Sequence, residues 1–165
     1  MSDEYNNQAH YAMDEYEDYG STHSVDAMED VHKYLTFVSD GLNFAIKAAY
    51  VAEIITNHHI TVLPMVPSYV KGIINLRGQI IPILDIREKM YKPPMEVTDA
   101  SCIIVLDINS ISIGIFVDSV SQVVDVNEKG ISPMPSNSPQ ELVNGMMTIG
   151  EDTVLFMDCE LLIQN

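Results

Sequence analysis

The sequence predicts an all-β protein, and three observations support this. Short apolar runs rich in Val and Ile recur along the chain, separated by turn residues at close intervals, which is the pattern of a barrel or sandwich. We count about ten such runs, most of them paired as hairpins. The runs do not alternate with long helical patterns, and the sequence has no glycine-rich phosphate loop, which argues against a nucleotide-binding α/β fold.

The first hairpin is predicted by Asp40-Gly41, a pair typical of two-residue hairpin turns. The flanking apolar runs, residues 34–39 and 42–46, are its strands. The next stretch, residues 47–54, could form a short helix, although the β-branched residues 54–56 favour a strand there.

The central hairpin lies within residues 66–87, which read VPSYVKGIINLRGQIIPILDIR. Its strands are predicted at 73–76 and 79–84, joined by Arg77-Gly78, because glycine adopts a positive φ at little cost. Arg77 should therefore lie exposed at the hairpin tip. Pro82 cannot donate a hydrogen bond within a sheet, so we expect the second strand to lie at a sheet edge or to be bulged.

The remaining elements follow the same signals. Asp158 stands as an N-cap before apolar residues, which predicts a short closing helix over 158–164. The other predictions are a helical turn at 86–90, a loop at 91–99, a hairpin of 102–108 and 111–119 around Asn109-Ser110, a strand at 120–126, an irregular linker at 132–139, and a hairpin of 146–149 and 153–157.

The length and composition are those of one globular domain. The chain has 165 residues, 47% of them apolar, which is enough for a sizeable core. Cys102 and Cys159 lie in apolar runs and are interpreted as core residues in a reducing compartment. No apolar run approaches the roughly 18 residues of a membrane-spanning helix, and the N-terminus lacks the features of a signal peptide. We therefore expect a cytoplasmic location.

Negative charge dominates the chain and is concentrated at its N-terminus. Residues 1–30 contain nine acidic residues and no Lys or Arg, and the remaining 15 acidic and 8 basic residues give the rest of the chain a charge of −7. Neither part has the basic surface that dominates affinity for nucleic acid, and both would be repelled by anionic lipid. The charge therefore argues against both classes of partner.

Residues 1–31 are predicted to form an acidic disordered tail, and residues 32–165 the folded domain. The tail is poor in branched aliphatic residues, so it cannot bury enough apolar area to offset the entropy lost on ordering. Its role stays open between a solubilising tail with no fixed partner and a docking or phosphorylation segment. The second alternative would use its four tyrosines, Tyr5, Tyr11, Tyr16 and Tyr19.

The sequence contains no arrangement typical of catalysis or of metal binding. His58-His59 is a poor metal site, because adjacent residues rarely chelate one ion and no third ligand is apparent. Asp85 and Asp118 each end an apolar run, where they would cap turns or pair with Arg77 and Arg87. We predict no catalytic residue, no metal and no cofactor.

Four segments, in the same order, resemble the CheW family of bacterial chemotaxis adaptors. The longest, GIINLRGQIIPILDIR at residues 72–87, is similar to the signature of that family. The others are VAEI at 51–54, VLPMVP at 62–67 and GIFVDSV at 114–120. The resemblance covers residues 33–163, and four matches in order are far more specific than any one alone.

The resemblance implies an architecture and a non-enzymatic function. CheW-like proteins have two intertwined SH3-like five-stranded β-barrels with short connecting helices and a groove between the barrels. One surface of the adaptor binds the regulatory domain of a CheA-type histidine kinase. The groove receives the cytoplasmic tip of a chemoreceptor, a methyl-accepting chemotaxis protein. Residues 32–165 would then be a CheW-like domain, cytoplasmic and recruited to membrane-associated receptor arrays without direct membrane insertion.

The resemblance also implies which residues contact these partners. Glu53 and Gly72 match positions associated with coupling to the kinase or the receptor. Arg77 would either reach receptor groups or form a bidentate pair with Glu53. The valines suit a groove for an amphipathic helix and equally a barrel core. The expected receptor-binding residues are Val51, Ile54, Arg77, Gly114, Val120 and Val123.

Two alternatives stay open. The chain could serve a different CheA-like pathway, such as pilus motility or development, since nothing in the sequence separates these circuits. It could also be a small β-barrel hydrolase, which would require Asp85 or Asp118 to meet His58 in one pocket.

Overall fold

The computed structural model describes residues 30–135 and 142–164. Most of the predicted tail, residues 1–31, and part of the predicted linker, residues 132–139, lie outside the described residues. In chain order the elements are β1 (Val31–Ser39), β2 (Leu42–Lys47), a 3-10 turn (Ala48–Tyr50), β3 (Val51–Ile55), β4 (Val70–Leu76), β5 (Gln79–Asp85), α1 (Ile86–Lys89), β6 (Cys102–Ile108), β7 (Ile111–Val117), β8 (Ser119–Asn127), a second 3-10 turn (Glu128–Gly130), β9 (Ser132–Pro133), β10 (Val143–Ile149), β11 (Asp152–Met157) and α2 (Cys159–Ile163).

The strands form two intertwined sheets, which confirms the predicted all-β fold. One sheet has the order β8-β1-β2-β11-β10-β9 and the other β3-β6-β7-β5-β4. The chain leaves the first sheet after β2, builds the second, and returns with β8. Each sheet contains one parallel pair, β2 with β11 and β5 with β7. The first sheet exceeds the expected five strands by β9, which has only two residues.

The predicted hairpin turns are confirmed by their backbone geometry. Arg77 and Gly78 have φ angles of 53° and 85°, and both central residues of a type I′ turn require positive φ. Asp40-Gly41 and Asn109-Ser110 have the same signs. Such turns match the right-handed twist of the strands that they join. The predicted helical turn after β5 and the closing helix are also present, and Asp158 caps the latter by accepting from the backbone N–H of Glu160.

The predicted short helix at residues 47–54 is mostly wrong. Only Ala48–Tyr50 forms a 3-10 turn, and Val51–Ile55 is strand β3. This segment pairs antiparallel with β6, with Ile55 opposite Ile103. Tertiary pairing with an apolar strand therefore decides the conformation, in the direction that the β-branched residues favoured.

The prediction that Pro82 places its strand at a sheet edge is also wrong, because β5 lies between β4 and β7. The parallel ladder with β7 begins at Ile83, the residue after Pro82. The missing N–H of Pro82 therefore interrupts no bond to β7. The bulge lies instead on β4, where the register shifts between Val70 and Gly72.

The largest apolar cluster of the described residues is shared by both sheets, and each sheet has a smaller cluster of its own. Phe37 and Phe44 of the first sheet stack with ring centroids 5.5 Å apart, and they belong to the same buried cluster as Ile104, Leu106 and Ile115 of the second. Each such side chain contributes about 1.5–3 kcal/mol when it is fully buried.

Both cysteines are buried free thiols, as the sequence predicted for core residues. Burial raises the pKa of the Cys159 thiol to about 12 and also raises the pKa of Cys102. Both thiols therefore stay protonated at neutral pH. Among the described helices, none has the length and apolar character needed to cross a membrane.

Replacing Gly72 with alanine should lower the free energy of unfolding by about 3 kcal/mol or more, because the added Cβ has no space. That atom would lie 2.1 Å from the backbone oxygen of Thr61. The same oxygen accepts a 2.9 Å hydrogen bond from the N–H of Ile73, which holds it in place.

Gly150 provides the matched control for this substitution. Its φ is 64°, and no described atom lies within 4 Å of an added Cβ. Gly150→Ala should therefore cost only the left-handed strain of about 1–2 kcal/mol. Urea unfolding followed by circular dichroism measures both variants. Equal losses for the two would contradict the steric explanation.

Candidate functional site

The free edges of the two sheets carry most of the predicted receptor-binding residues. Among the described strands, β3 is an edge of the five-stranded sheet and β8 is an edge of the six-stranded sheet. Ile54 on β3 is 43% exposed and Val123 on β8 is 55% exposed. Val51 and Val120 are half-buried and pack against the shared core. Of the three predicted valines, Val51 and Val120 are therefore anchored on the core, and Val123 is exposed.

The two edges flank the beginning of β6. The backbone of Val120 lies close enough to the thiol of Cys102, the first residue of β6, to lower the pKa of that thiol. The next residue, Ile103, pairs with Ile55 at the end of β3. The first residues of β8 and the last residues of β3 therefore meet the same strand at neighbouring positions.

Arg77 and Glu53 form a bidentate ion pair beside these edges. Arg77 Nη1 donates to Glu53 Oε2 over 2.9 Å, and Nη2 donates to Oε1 over 3.0 Å. Arg77 stands at the tip of the β4–β5 hairpin and its side chain is 74% exposed. Since β3 and β4 are the two edges of one sheet, the pair spans the opening between them. The structure thus shows the alternative in which Arg77 pairs with Glu53.

The ion pair changes the titration of both groups. Hydrogen bonds from Arg77 hold the pKa of Glu53 below its usual value, and Glu53 raises the pKa of Arg77. Both groups are therefore charged at neutral pH. Pairs as exposed as this one contribute little net stability, because water and salt screen them.

A row of polar side chains beside the hairpin was missed by the sequence analysis. Gln79 Nε2 donates to Ser112 Oγ over 2.9 Å, and Ser112 Oγ donates to Asp107 Oδ1 over 2.6 Å. The row crosses β5, β7 and β6. It holds the start of β5, directly after the Arg77-Gly78 turn, against β7. The pairing of β6 with β7 places Asp107 opposite Ser112, so the hairpin register was the signal that could have found it.

Gly72 and Gly114 lie in the interior rather than on the candidate surface. An added Cβ on Gly114 would lie 2.4 Å from Ile83 Cδ1 and 2.9 Å from Ile103 Cγ2. Gly72 is blocked in the same way by the backbone of Thr61. Both glycines can influence a partner only through the placement of their strands. Their expected roles in binding stay predictions.

The carboxylates required by the hydrolase alternative are occupied elsewhere. Asp85 is fully buried, caps α1 by accepting from Arg87 N–H, and accepts from Met95 N–H over 3.1 Å. Asp118 pairs with Arg87. His58 lines a separate cavity of about 90 Å³ beside Asn57, Thr98, Ser101 and apolar residues, and neither Asp85 nor Asp118 lines it. These groups do not meet in the described part of the chain, so the hydrolase geometry is not formed.

A larger cavity, of about 550 Å³, lies at the end of the six-stranded sheet. Two of its charged residues, Lys47 and Glu128, are paired with each other. Tyr34 Oη donates to Glu128 Oε1 over 2.7 Å, and Lys47 Nζ lies 3.2 Å from the same oxygen. These two partners hold the pKa of Glu128 below its usual value. The residues that line this cavity include none of the predicted binding residues.

The Glu53–Arg77 pair predicts a pH dependence that NMR can measure. Because its pKa is lowered in the folded state, the stabilisation of Glu53 is present above the ordinary glutamate pKa and is lost as pH falls through the lowered value. Carboxyl ¹³C titration should show the Glu53 pKa below that of a model glutamate. In Arg77→Ala it should rise toward the model value. An unchanged Glu53 pKa in that variant would show that the pair is not formed in solution.

Comparisons with known proteins agree with this architecture. The profile of a family described as "CheW-like domain" matches residues 33–165. The chain is 29% identical over 136 residues to the chemotaxis protein CheW of Klebsiella aerogenes, covering 81% of this chain and 82% of that protein. It is 34% identical over 103 residues to the CheW of Bacillus subtilis, covering 62% of this chain and 66% of that protein.

A solved structure shows the same fold. The crystal structure of the scaffolding protein TtCheW from Thermoanaerobacter tengcongensis superposes with a TM-score of 0.75 at 26% sequence identity. The match covers 81% of this chain and 88% of that chain. Since the family profile spans both sheets from β1 to α2, the chain belongs to the CheW family.

Proposed function

We propose that this protein is a non-enzymatic scaffold that couples chemoreceptors to a CheA-type histidine kinase in chemotaxis. The observation that carries the proposal is the pair of free sheet edges with exposed apolar residues, beside an exposed arginine. Ile54 and Val123 are large apolar side chains that these edges leave exposed. Family membership supplies the class of partner, and the edges supply a surface suited to it.

The receptor tip would bind as a helix between the two edges. An amphipathic helix places apolar anchors at intervals of three and four residues along one face. Ile54 and Val123 would contact those anchors, while half-buried Val51 and Val120 form the base of the groove. A few well-packed apolar contacts of this kind dominate the affinity of most interfaces.

Arg77 would contribute direction and selectivity to this interface. Its guanidinium presents a planar fork that matches a carboxylate, and its pair with Glu53 is exposed enough to exchange partners at small cost. A receptor carboxylate or carbonyl can therefore share or replace Glu53. This exchange would also change the hydrogen bonding of Glu53. We place Glu53, together with Gly72, in the coupling of receptor to kinase.

The kinase partner would be the regulatory domain of a CheA-type enzyme, at a cytoplasmic array beneath the membrane. Small interfaces of this kind are individually weak. Receptors and kinases repeat within an array, so weak contacts add through effective concentration. The scaffold itself then needs binding surfaces and no catalytic group.

Reversing the charge of Arg77 should weaken receptor binding without unfolding the domain. We expect Arg77→Glu to raise the Kd for a receptor helical-hairpin tip about tenfold or more, a loss of about 1.4 kcal/mol. Lys129→Glu is the matched control, because Lys129 is 72% exposed, pairs with Asp30 and lies beyond the last residue of β8, after Val120 and Val123. Isothermal titration calorimetry with the full-length chain measures both. A similar loss for both variants would indicate a general charge effect.

A second test addresses the apolar contact. Val123→Asp should abolish measurable receptor binding, because it places a charge where an apolar anchor would be buried. Ile111→Asp is the matched control, since Ile111 is 47% exposed at the start of β7. Amide-resolved NMR titration should show shifts at β3, β8 and Arg77 for the control only. If Val123→Asp is folded and binds as the wild type does, the groove is misplaced.

A further inference from the structure

The chain passes between the two sheets at a cluster of charged side chains. Asp118 is the single residue between β7 of one sheet and β8 of the other. Arg87, in α1 directly after β5, donates through Nη2 to Asp118 Oδ2. Arg87 Nη1 lies 3.9 Å from Asp40 Oδ1, in the turn between β1 and β2. The cluster therefore joins elements of both sheets at one point.

Further hydrogen bonds complete this cluster, which we call the junction network (Asp40, Arg87, Lys92 and Asp118). Asp118 Oδ2 also accepts from the backbone N–H of Asp40 over 3.0 Å. The N–H of Asp118 donates to the carbonyl of Val38 over 3.0 Å. Lys92 Nζ lies 3.0 Å from Asp40 Oδ2. Arg87 and Lys92, which both follow β5, thus pair with Asp40 and Asp118, which lie next to strands of the six-stranded sheet.

The Arg87–Asp118 pair at the centre of the junction network is enclosed, unlike the exposed Arg77 pair. The side chains of Arg87 and Asp118 are only 16% and 24% exposed. Arg87 Nε and Asp118 Oδ1 are buried, and neither has a hydrogen-bond partner among the described residues. Removing one member of such a pair leaves a buried charge uncompensated, which is strongly unfavourable. The Arg87–Asp118 pair is therefore much less free to exchange partners than the Arg77–Glu53 pair.

The first residues of β8 are held by β1. Val120 pairs with Phe37 and Ser119 with Val38, and the register then shifts before Val123 pairs with Leu35. Across this shift, Thr36 Oγ1 hydrogen-bonds the backbone of Gln122. Asp118, two residues before Val120, ties this end of the six-stranded sheet to Arg87, which directly follows β5 of the other sheet.

We propose that Arg87 is a positioning residue that, through Asp118 and Asp40, sets the spacing between the start of β8 and the edge strand β3. This inference rests on the proposed function, because that spacing is the width of the groove for the receptor tip. Arg87 acts through the position of Val120 and does not touch the receptor, since its guanidinium is held inside the network.

Spin labels would measure the spacing without any partner. Ala52 on β3 and Ser121 on β8 are exposed and would be replaced by cysteine in the full-length chain. The native thiols of Cys102 and Cys159 are buried with raised pKa values and should resist labelling. Double electron–electron resonance should give a narrow distance distribution for this doubly labelled chain.

Arg87→Lys keeps the positive charge and removes the planar fork. We expect it to broaden the distance distribution about twofold or more, and Asp40→Asn to broaden it less. Lys129→Gln removes an exposed ion pair elsewhere and should leave the distribution unchanged. In chains without labels, Arg87→Lys should raise the Kd for the receptor tip about tenfold, while Lys129→Gln should not change it.

The outcomes separate the two proposals. An unchanged distribution in folded Arg87→Lys and Asp40→Asn would overturn the positioning role, as would a broadened distribution with unchanged receptor affinity. If Arg87→Lys does not fold, Asp40→Asn decides alone, because the Asp40 side chain is 36% exposed and its backbone bond to Asp118 remains. If the spacing changes but the wild-type chain binds no receptor tip, the proposed function fails and the effect of Arg87 on the spacing stands.

Discussion

The apolar core that the two sheets share is the constraint on which the rest of the structure depends. Phe37 and Phe44 from one sheet pack in the same cluster as Ile104 and Leu106 from the other, in addition to a smaller buried cluster within each sheet. Because the sheets join through their faces, the edge strands β3 and β8 lack a second neighbour among the described strands. Exposed edges invite association. The candidate surface is therefore a consequence of how the core is closed.

Two arginines in this chain form ion pairs that differ in what they can do. Arg77 is 74% exposed and its bidentate pair with Glu53 is screened by water, so a partner can compete for it. Arg87 is 16% exposed and held with Asp118 at the passage between the sheets, so it can fix geometry only. Burial, and not residue type, decides which pair is exchangeable and which is structural. A scaffold needs both, since an adaptable contact is selective only on a rigid frame.

Much of the fold followed from local rules. Turns such as Asp40-Gly41 and Arg77-Gly78 depend on the φ preferences of the residues within them, and the N-cap Asp158 depends on its own side chain. Such features were predictable because each is determined within a few residues. The candidate site was less predictable from the sequence. The exposure of Arg77 followed from its turn, whereas the interior position of Gly114 depends on Ile83 and Ile103 from two other strands.

The sequence by itself determined the all-β class, the hairpins, the exposed arginine and the resemblance to a family of adaptors. Only the tertiary structure decided that β5, with Pro82, is an interior strand, and that Val51–Ile55 is an edge strand. It also decided which valines are exposed and which arginine holds the two sheets together. The physical reason is that the alternation of apolar and polar residues and the chemistry of turns act between neighbours in the chain. Sheet order, burial and ion pairing instead join residues far apart in sequence.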